Sequence, residues 1–411
     1  MIRYNTTQGL DQHDDLLANQ GFEFIQHEYE CGDIGYYHLP NNSHYLIDEA
    51  QKLSKEVDFD TVVVIGIGGS SLGIKAIERM LLPVAKDTKR LVYLENSDPI
   101  TIKSYTDSIN PDKSLFLVIS KSGGTVETLS IFKYVIDKFS LKLDNSERII
   151  AISDDGSALA RFADAHKIRR FVIPDNVGGR FSVLSAVGVV PLTLAGYDVK
   201  SILDGAKEFL DRFLARKEDH LLHKAVYYAA NRSRYPINVV FGYSDVFDEF
   251  GKWIVQIWGE SLGKFDYEGN RVGLTPIALI GSVDQHSFLQ LIIEGTLNKT
   301  VTFIDIEHSD ESVVIPNITL DNLENSDFVN GKTFNELISA QCQATMQSVM
   351  QTGVPTDEIA IDRLDGKNIG ELIIYYEILT STCGALMQIN TYDQPGVEIG
   401  KKLLHNYFTN L

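Results

Sequence analysis

The stretch Ser120-Lys121-Ser122-Gly123-Gly124-Thr125 puts three hydroxyls and two glycines into six residues, directly after the apolar run SLFLVI and before VETLSIFKYVI. Glycines let backbone amides approach a ligand closely, and hydroxyls donate to its oxygens. Gathered where a helix begins, such groups favour an anion, and a phosphate monoester fits them. A second glycine-rich turn, GIGGSSLG at residues 66–73, follows TVVVI in the same way and adds Gly69 and Ser70. Two nucleotide patterns fail there at a diagnostic place. For G-x-G-x-x-G, Gly66 and Gly68 fit but Ser71 stands at the sixth position; for the P-loop, Gly68 and Gly73 fit but Ile74 follows, with Lys75 one place late.

Other windows hold groups that move protons or stabilise charge. VGGRFS sets Arg180 behind two glycines, where a fixed guanidinium can face negative charge developing on oxygen. FDEFGKWIVQIWGESLGK reads as a helix with Phe250, Trp253, Ile254, Ile257 and Trp258 in the core, and Gln256 and Glu260, four apart, on one face. Burial would raise the Glu260 pKa towards that of a useful base. His286 follows the strand-like TPIALI, in the first turn of the next helix, where an imidazole can pass protons near neutral pH. YDQPGVEIGKKLL places Gln394 before Pro395 and Lys401 seven residues on. Each window alone also has a structural reading: an exposed loop arginine, a salt-bridged glutamate, a structural histidine, a solvated lysine. No His, Cys or Glu spacing suggests a metal.

The elements that must position these groups alternate. TVVVI, LVYL, SLFLVI, RIIAIS and RRFVIP read as strands, separated by helical segments. A second series runs through INVVFG, TPIALI and VTFIDI and ends in long helices. Such alternation implies α/β architecture: two doubly wound parallel sheets flanked by helices. We expect residues 1–50 as an N-terminal extension on the core that prefixes the first domain. Residues 51–195 would form the first, anion-binding domain, and residues 196–411 a second domain with the C-terminal helices. The charged helical stretch 200–233 reads as a connector. The formal net charge of −19 argues against nucleic acid or an anionic membrane as partner. Three scattered cysteines, Cys31, Cys342 and Cys383, suit reduced thiols. No apolar run reaches the ~18 residues of a membrane span, and the N-terminus has no apolar leader, so a cytoplasmic protein is expected.

In order, GIGGSSLG, SKSGGT, DNVGGRFSVLSA, QIWGESLGK, GSVDQHS and GALMQINTYDQPGVEIGK closely resemble the glucose-6-phosphate isomerase family, from about residue 60 to the C-terminus and in a compact bacterial form. The resemblance implies two sugar-isomerase (SIS) domains and a homodimer whose protomers share active sites. It implies that Ser120, Lys121, Ser122 and Thr125, with the Gly69-Ser70 turn, hold the phosphate of a hexose phosphate. It implies Glu260 as the base of a cis-enediol mechanism and Arg180 as the charge stabiliser. His286 and Lys401 match the ring-opening residues, and Gln256 and Gln394 the positions that orient substrate. Neither metal nor cofactor is implied. Two other readings are an isomerase of this fold that also takes mannose 6-phosphate, and a sugar-phosphate sensor without catalysis. The charge and the lack of a basic N-terminal module count against the sensor.

Overall fold

The computed structural model describes residues 2–7, 10, 14–309 and 312–409. Its strands are β1 (Ile2–Thr6), β2 (Thr61–Ile65), β3 (Arg90–Leu94), β4 (Ser114–Ile119), β5 (Ile149–Ser153), β6 (Arg169–Val172), β7 (Ile237–Gly242), β8 (Lys264–Phe265), β9 (Arg271–Val272), β10 (Thr275–Ile280), β11 (Lys299–Ile306) and β12 (Thr356–Ile361). β2, β4 and β5 are buried along their whole length. That is why they read as unbroken apolar runs instead of alternating ones.

The first sheet is parallel throughout, in the order β3-β2-β4-β5-β6. From β2 the chain goes first to β3 on one side and then to β4 on the other. A crevice therefore opens beyond the carboxyl ends of β2 and β4, where ligands of such sheets bind. GIGGSSLG leaves β2 and SKSGGT leaves β4, so the two glycine-rich loops flank it.

The second sheet runs β1-β12-β11-β7-β10. Its pairings are parallel except for β1, which lies antiparallel on β12 with Ile2 opposite Ile361. This corrects the placing of the N-terminal residues: β1 edges the second sheet, and the helix Asp15–Cys31 packs on Gly366–Leu386. The stretch 200–233 is likewise no mere connector. Its first helix, Val199–Leu214, buries Ile202, Leu203, Ala206, Phe209, Leu210 and Phe213, and it packs along Gly366–Leu386, whose faces are nearly all buried. The spacing shows an amphipathic helix; only packing reveals how large its partner is.

The helix Asp248–Leu262 joins the two halves, packing on β10 and on the helix Leu72–Leu81. Phe250, Trp253, Ile254, Ile257 and Trp258 are buried, as their spacing predicts. Trp258 Nε1 donates to Asn238 Oδ1 at 3.1 Å. All three cysteines are free thiols. Burial pushes the Cys342 and Cys383 thiols far up, which leaves them inert. Among the described residues no helix is long and apolar enough to cross a membrane.

Candidate active site

The loop after β4 is folded by its own hydroxyls and glycines. Ser120 is buried and its Oγ shares a hydrogen with Thr125 Oγ1 at 2.9 Å. Gly123 takes φ +66°, and a Cβ there would stand 2.6 Å from the Leu159 amide nitrogen. Gly124 faces open space. Thr125 then starts the helix Val126–Phe139 in an extended conformation, without a side-chain cap. The first amides of that helix therefore keep their donors for an incoming anion. The loop after β2 ends alike: Ser71 begins Leu72–Leu81 with no side-chain cap. Lys75, the misplaced P-loop lysine, is paired with Glu95 at 2.8 Å and Glu249 at 3.2 Å.

Lys121 does not face the crevice opening as a free cation. Its Nζ donates to the Asp175 carbonyl at 2.8 Å, strapping this loop to the segment that leads into Arg180. The β2 loop meets that segment still more closely. A Cβ on Gly69 would lie 2.2 Å from the Gly179 carbonyl oxygen and 2.9 Å from the Arg180 nitrogen. Two backbones in such contact fix Arg180 relative to the anion loops.

Arg180 is the most constrained group here. Its side chain is 2% exposed, which overturns the exposed-loop reading. Nε donates to Ser261 Oγ at 2.7 Å, Nη1 to Gln394 Oε1 at 3.2 Å, and Nη2 to the carbonyls of Asp393, at 3.2 Å, and Thr391. Burial pulls its pKa down, while Glu260 and Asp393 push it back up. Glu260 Oε2 stands 3.7 Å from Nη1. The carboxylate itself is 36% exposed, a correction to the expected deep burial. The helix buries its aromatic face and leaves Glu260 on the rim, where it is held by its cation instead of by a dry pocket. Gln256, one turn earlier, lies against the β2 loop: its Nε2 is 2.9 Å from where a Gly68 Cβ would be, and its buried Oε1 has no hydrogen-bond partner. An amide oxygen so placed can accept from a substrate hydroxyl.

The structure thus brings together Gly69, Ser70, Arg180, Gln256, Glu260 and Gln394. Lys264 and Asp393 join them, and neither is picked out by the sequence reading. Lys264 Nζ donates to Asp393 Oδ1 at 2.9 Å and to the Asp393 carbonyl. The available signal is its spacing of four from Glu260, within GESLGK.

Among the described residues, no hydrogen bond or ion pair ties His286 or Lys401 to this group. His286 ends the 3₁₀ turn Val283–His286 after β10, is exposed, and makes no hydrogen bond or ion pair with Arg180 or Glu260. Lys401 lies on the helix Glu398–Thr409, which buries none of its residues; it is 63% exposed and paired with Glu398 at 2.7 Å. Among the described residues, Glu307, His308 and Asp362 bring ligand atoms within 4.8 Å of one another. Two arginines already hold these carboxylates, Arg3 on Glu307 and Arg363 (3.6 Å) on Asp362, and His308 Nδ1 lies 3.1 Å from the Asp362 carboxylate.

Residues 51–411 match the family model described as phosphoglucose isomerase. A glucose-6-phosphate isomerase of Campylobacter jejuni is 44% identical over 388 residues, 93% of this chain and 94% of the relative. One from Thermus thermophilus is 32% identical over 96% of this chain and 95% of its own. Among solved structures, a hypothetical protein from Thermus thermophilus superposes with a TM-score of 0.90 at 32% identity, covering 99% of this chain and 100% of that one. A tagatose-6-phosphate ketose/aldose isomerase from Escherichia coli, at 11% identity and a TM-score of 0.55, shares the fold; it covers 96% of this chain and 98% of that one.

Proposed function

The chain belongs to the phosphoglucose isomerase family, and on that premise we propose that it interconverts glucose 6-phosphate and fructose 6-phosphate by moving a proton within the sugar. The observation that carries this reading is the Arg180–Glu260 pair, 3.7 Å apart, at the mouth of the crevice between two uncapped helix starts. The phosphate sits on Ser120, Ser122, Thr125 and the free amides of the helix Val126–Phe139, with the Gly69-Ser70 turn beside it. Lys121 contributes through its main chain, its ammonium being spent on Asp175. Glu260 takes the proton from C2 of the open-chain aldose and returns it to C1. A rim carboxylate suits this task, because it must both reach carbon and be neutralised by a neighbour.

As C2 loses its proton, negative charge builds on the O1 and O2 oxygens of a cis-enediol. Arg180 lies where it can take up that charge without reorganising, since its remaining donors are already fixed. Gln256 and Gln394 orient the hydroxyls. One carbon is oxidised as its neighbour is reduced, so the balance closes without a redox cofactor. The ring is opened first by His286 and Lys401. His286 is exposed and has no hydrogen bond or ion pair to Arg180 or Glu260 in its own chain, and we propose a homodimer with shared active sites, in which the neighbouring protomer supplies this histidine. We place the enzyme in the cytoplasm.

The test is fructose 6-phosphate turnover, coupled to oxidation of glucose 6-phosphate, with a chelator present. Glu260→Gln is expected to lower kcat on the order of 10²–10⁴-fold, with KM little changed. A variant within a few-fold of wild type would remove Glu260 from the role of base.

A further inference from the structure

Lys264 stands four residues beyond Glu260, at the start of β8, with its side chain only 7% exposed. Its Nζ donates to both the carbonyl and the carboxylate of Asp393. Arg180 Nη2 donates to the same carbonyl at 3.2 Å. Two cations and two carboxylates, Glu260 and Asp393, therefore form one cluster. Asp393 bears electrostatically on Arg180 as well as on Lys264. Burial of Lys264 works against its charge, and its hydrogen bond to Asp393 works for it. The Asp393 carboxylate is 47% exposed and has Lys264 as its ion-pair partner. Freed from that partner, it would be an anion beside Arg180, in competition with any charge that develops on a substrate.

We infer that Lys264 is a positioning residue for the isomerisation: it holds the Asp393 carboxylate off Arg180 and pins the carbonyl at which residues 391–394 turn towards the helix that carries Lys401. The inference rests on the isomerase reading above. It deepens that reading, because it assigns a buried cation the task of keeping another cation free. An arginine with a second carboxylate against it would meet the enediolate already neutralised. With Lys264 in place, Glu260 is the carboxylate in ion-pair contact with Arg180 and Asp393 acts on it only from beyond that contact; Glu260 is itself neutralised when it takes the proton.

The experiment compares wild type, Lys264→Met, Lys264→Arg and the double variant Lys264→Met/Asp393→Asn, as purified full-length enzyme, in the coupled assay. Lys264→Met should lose on the order of 10²-fold in kcat, with KM for fructose 6-phosphate within about threefold of wild type. Lys264→Arg should recover to within about tenfold of wild type. The double variant should regain about tenfold over Lys264→Met, because the competing charge is gone. A double variant no faster than Lys264→Met overturns the charge-competition role. So does a Lys264→Met enzyme at wild-type rate, or one changed only in KM. Where the methionine variant folds poorly, Lys264→Gln replaces it, with the same recovery expected on adding Asp393→Asn. Wild type without turnover would sink the isomerase reading itself, a result distinct from all of these.

Discussion

Replacing Arg180 by lysine keeps the charge and removes the fork. The guanidinium spans acceptors on two sides: Ser261 Oγ at 2.7 Å on one, and Gln394 Oε1 and the Thr391 and Asp393 carbonyls on the other. A single ammonium at the end of a flexible stem cannot serve both sides. At least two of the four bonds are lost, at about 1.5–3 kcal/mol each when the donor is charged, so the site loses about 3–6 kcal/mol of local order. The chemical loss is separate. Removing one fixed donor from a developing oxyanion costs about 2.7–4 kcal/mol, or 10²–10³ in kcat. Arg180→Lys is therefore expected to turn over fructose 6-phosphate about 10²–10³-fold more slowly, with KM within about fivefold, since the phosphate loops keep their contacts. Limited proteolysis should find residues 391–409 cleaved sooner, because their anchor is weakened. A kcat within tenfold of wild type in a folded variant would refute Arg180 as the charge stabiliser. A raised KM with unchanged kcat would make it a binding group only.

Two further outcomes follow from the packing. Gly69→Ala drives a Cβ to 2.2 Å from the Gly179 carbonyl oxygen, so one of the two loops must move; activity in the coupled assay should fall by more than tenfold while the circular dichroism spectrum is kept, and an active alanine variant would show that the contact is not needed. His220 is held at about 4 by burial, against the pull of Asp357. Its folded pKa is below the unfolded value, so the unfolded chain binds more protons, and stability should fall as pH drops from about 6.5 to 4, by about 3 kcal/mol at most. Denaturant titrations of wild type against His220→Gln should show the variant with a flatter slope across that window; parallel slopes would contradict it.

Much of this protein is open to reading along the chain. TVVVI, SLFLVI and IIAIS are apolar without alternation because both faces of the first sheet are covered, and that property is local. The glycine and hydroxyl content of SKSGGT belongs to its loop, and the four-residue spacing of Gln256 and Glu260 belongs to one helix; short-range periodicity carries both. What lies beyond the sequence are distances between segments far apart in it. Nothing local says that β1 would edge the second sheet, since edge pairing depends on which strand end is left open. Nothing local says that the Lys121 ammonium would be spent on the Asp175 carbonyl, or that Glu260 would rest on the rim with Arg180, 80 residues away, as its counter-charge. Residue type sets which chemistry is possible. Burial, counter-ions and which groups are left unpaired are set by packing, and they decide which lysine holds a loop, which holds a carboxylate, and which stays in solvent.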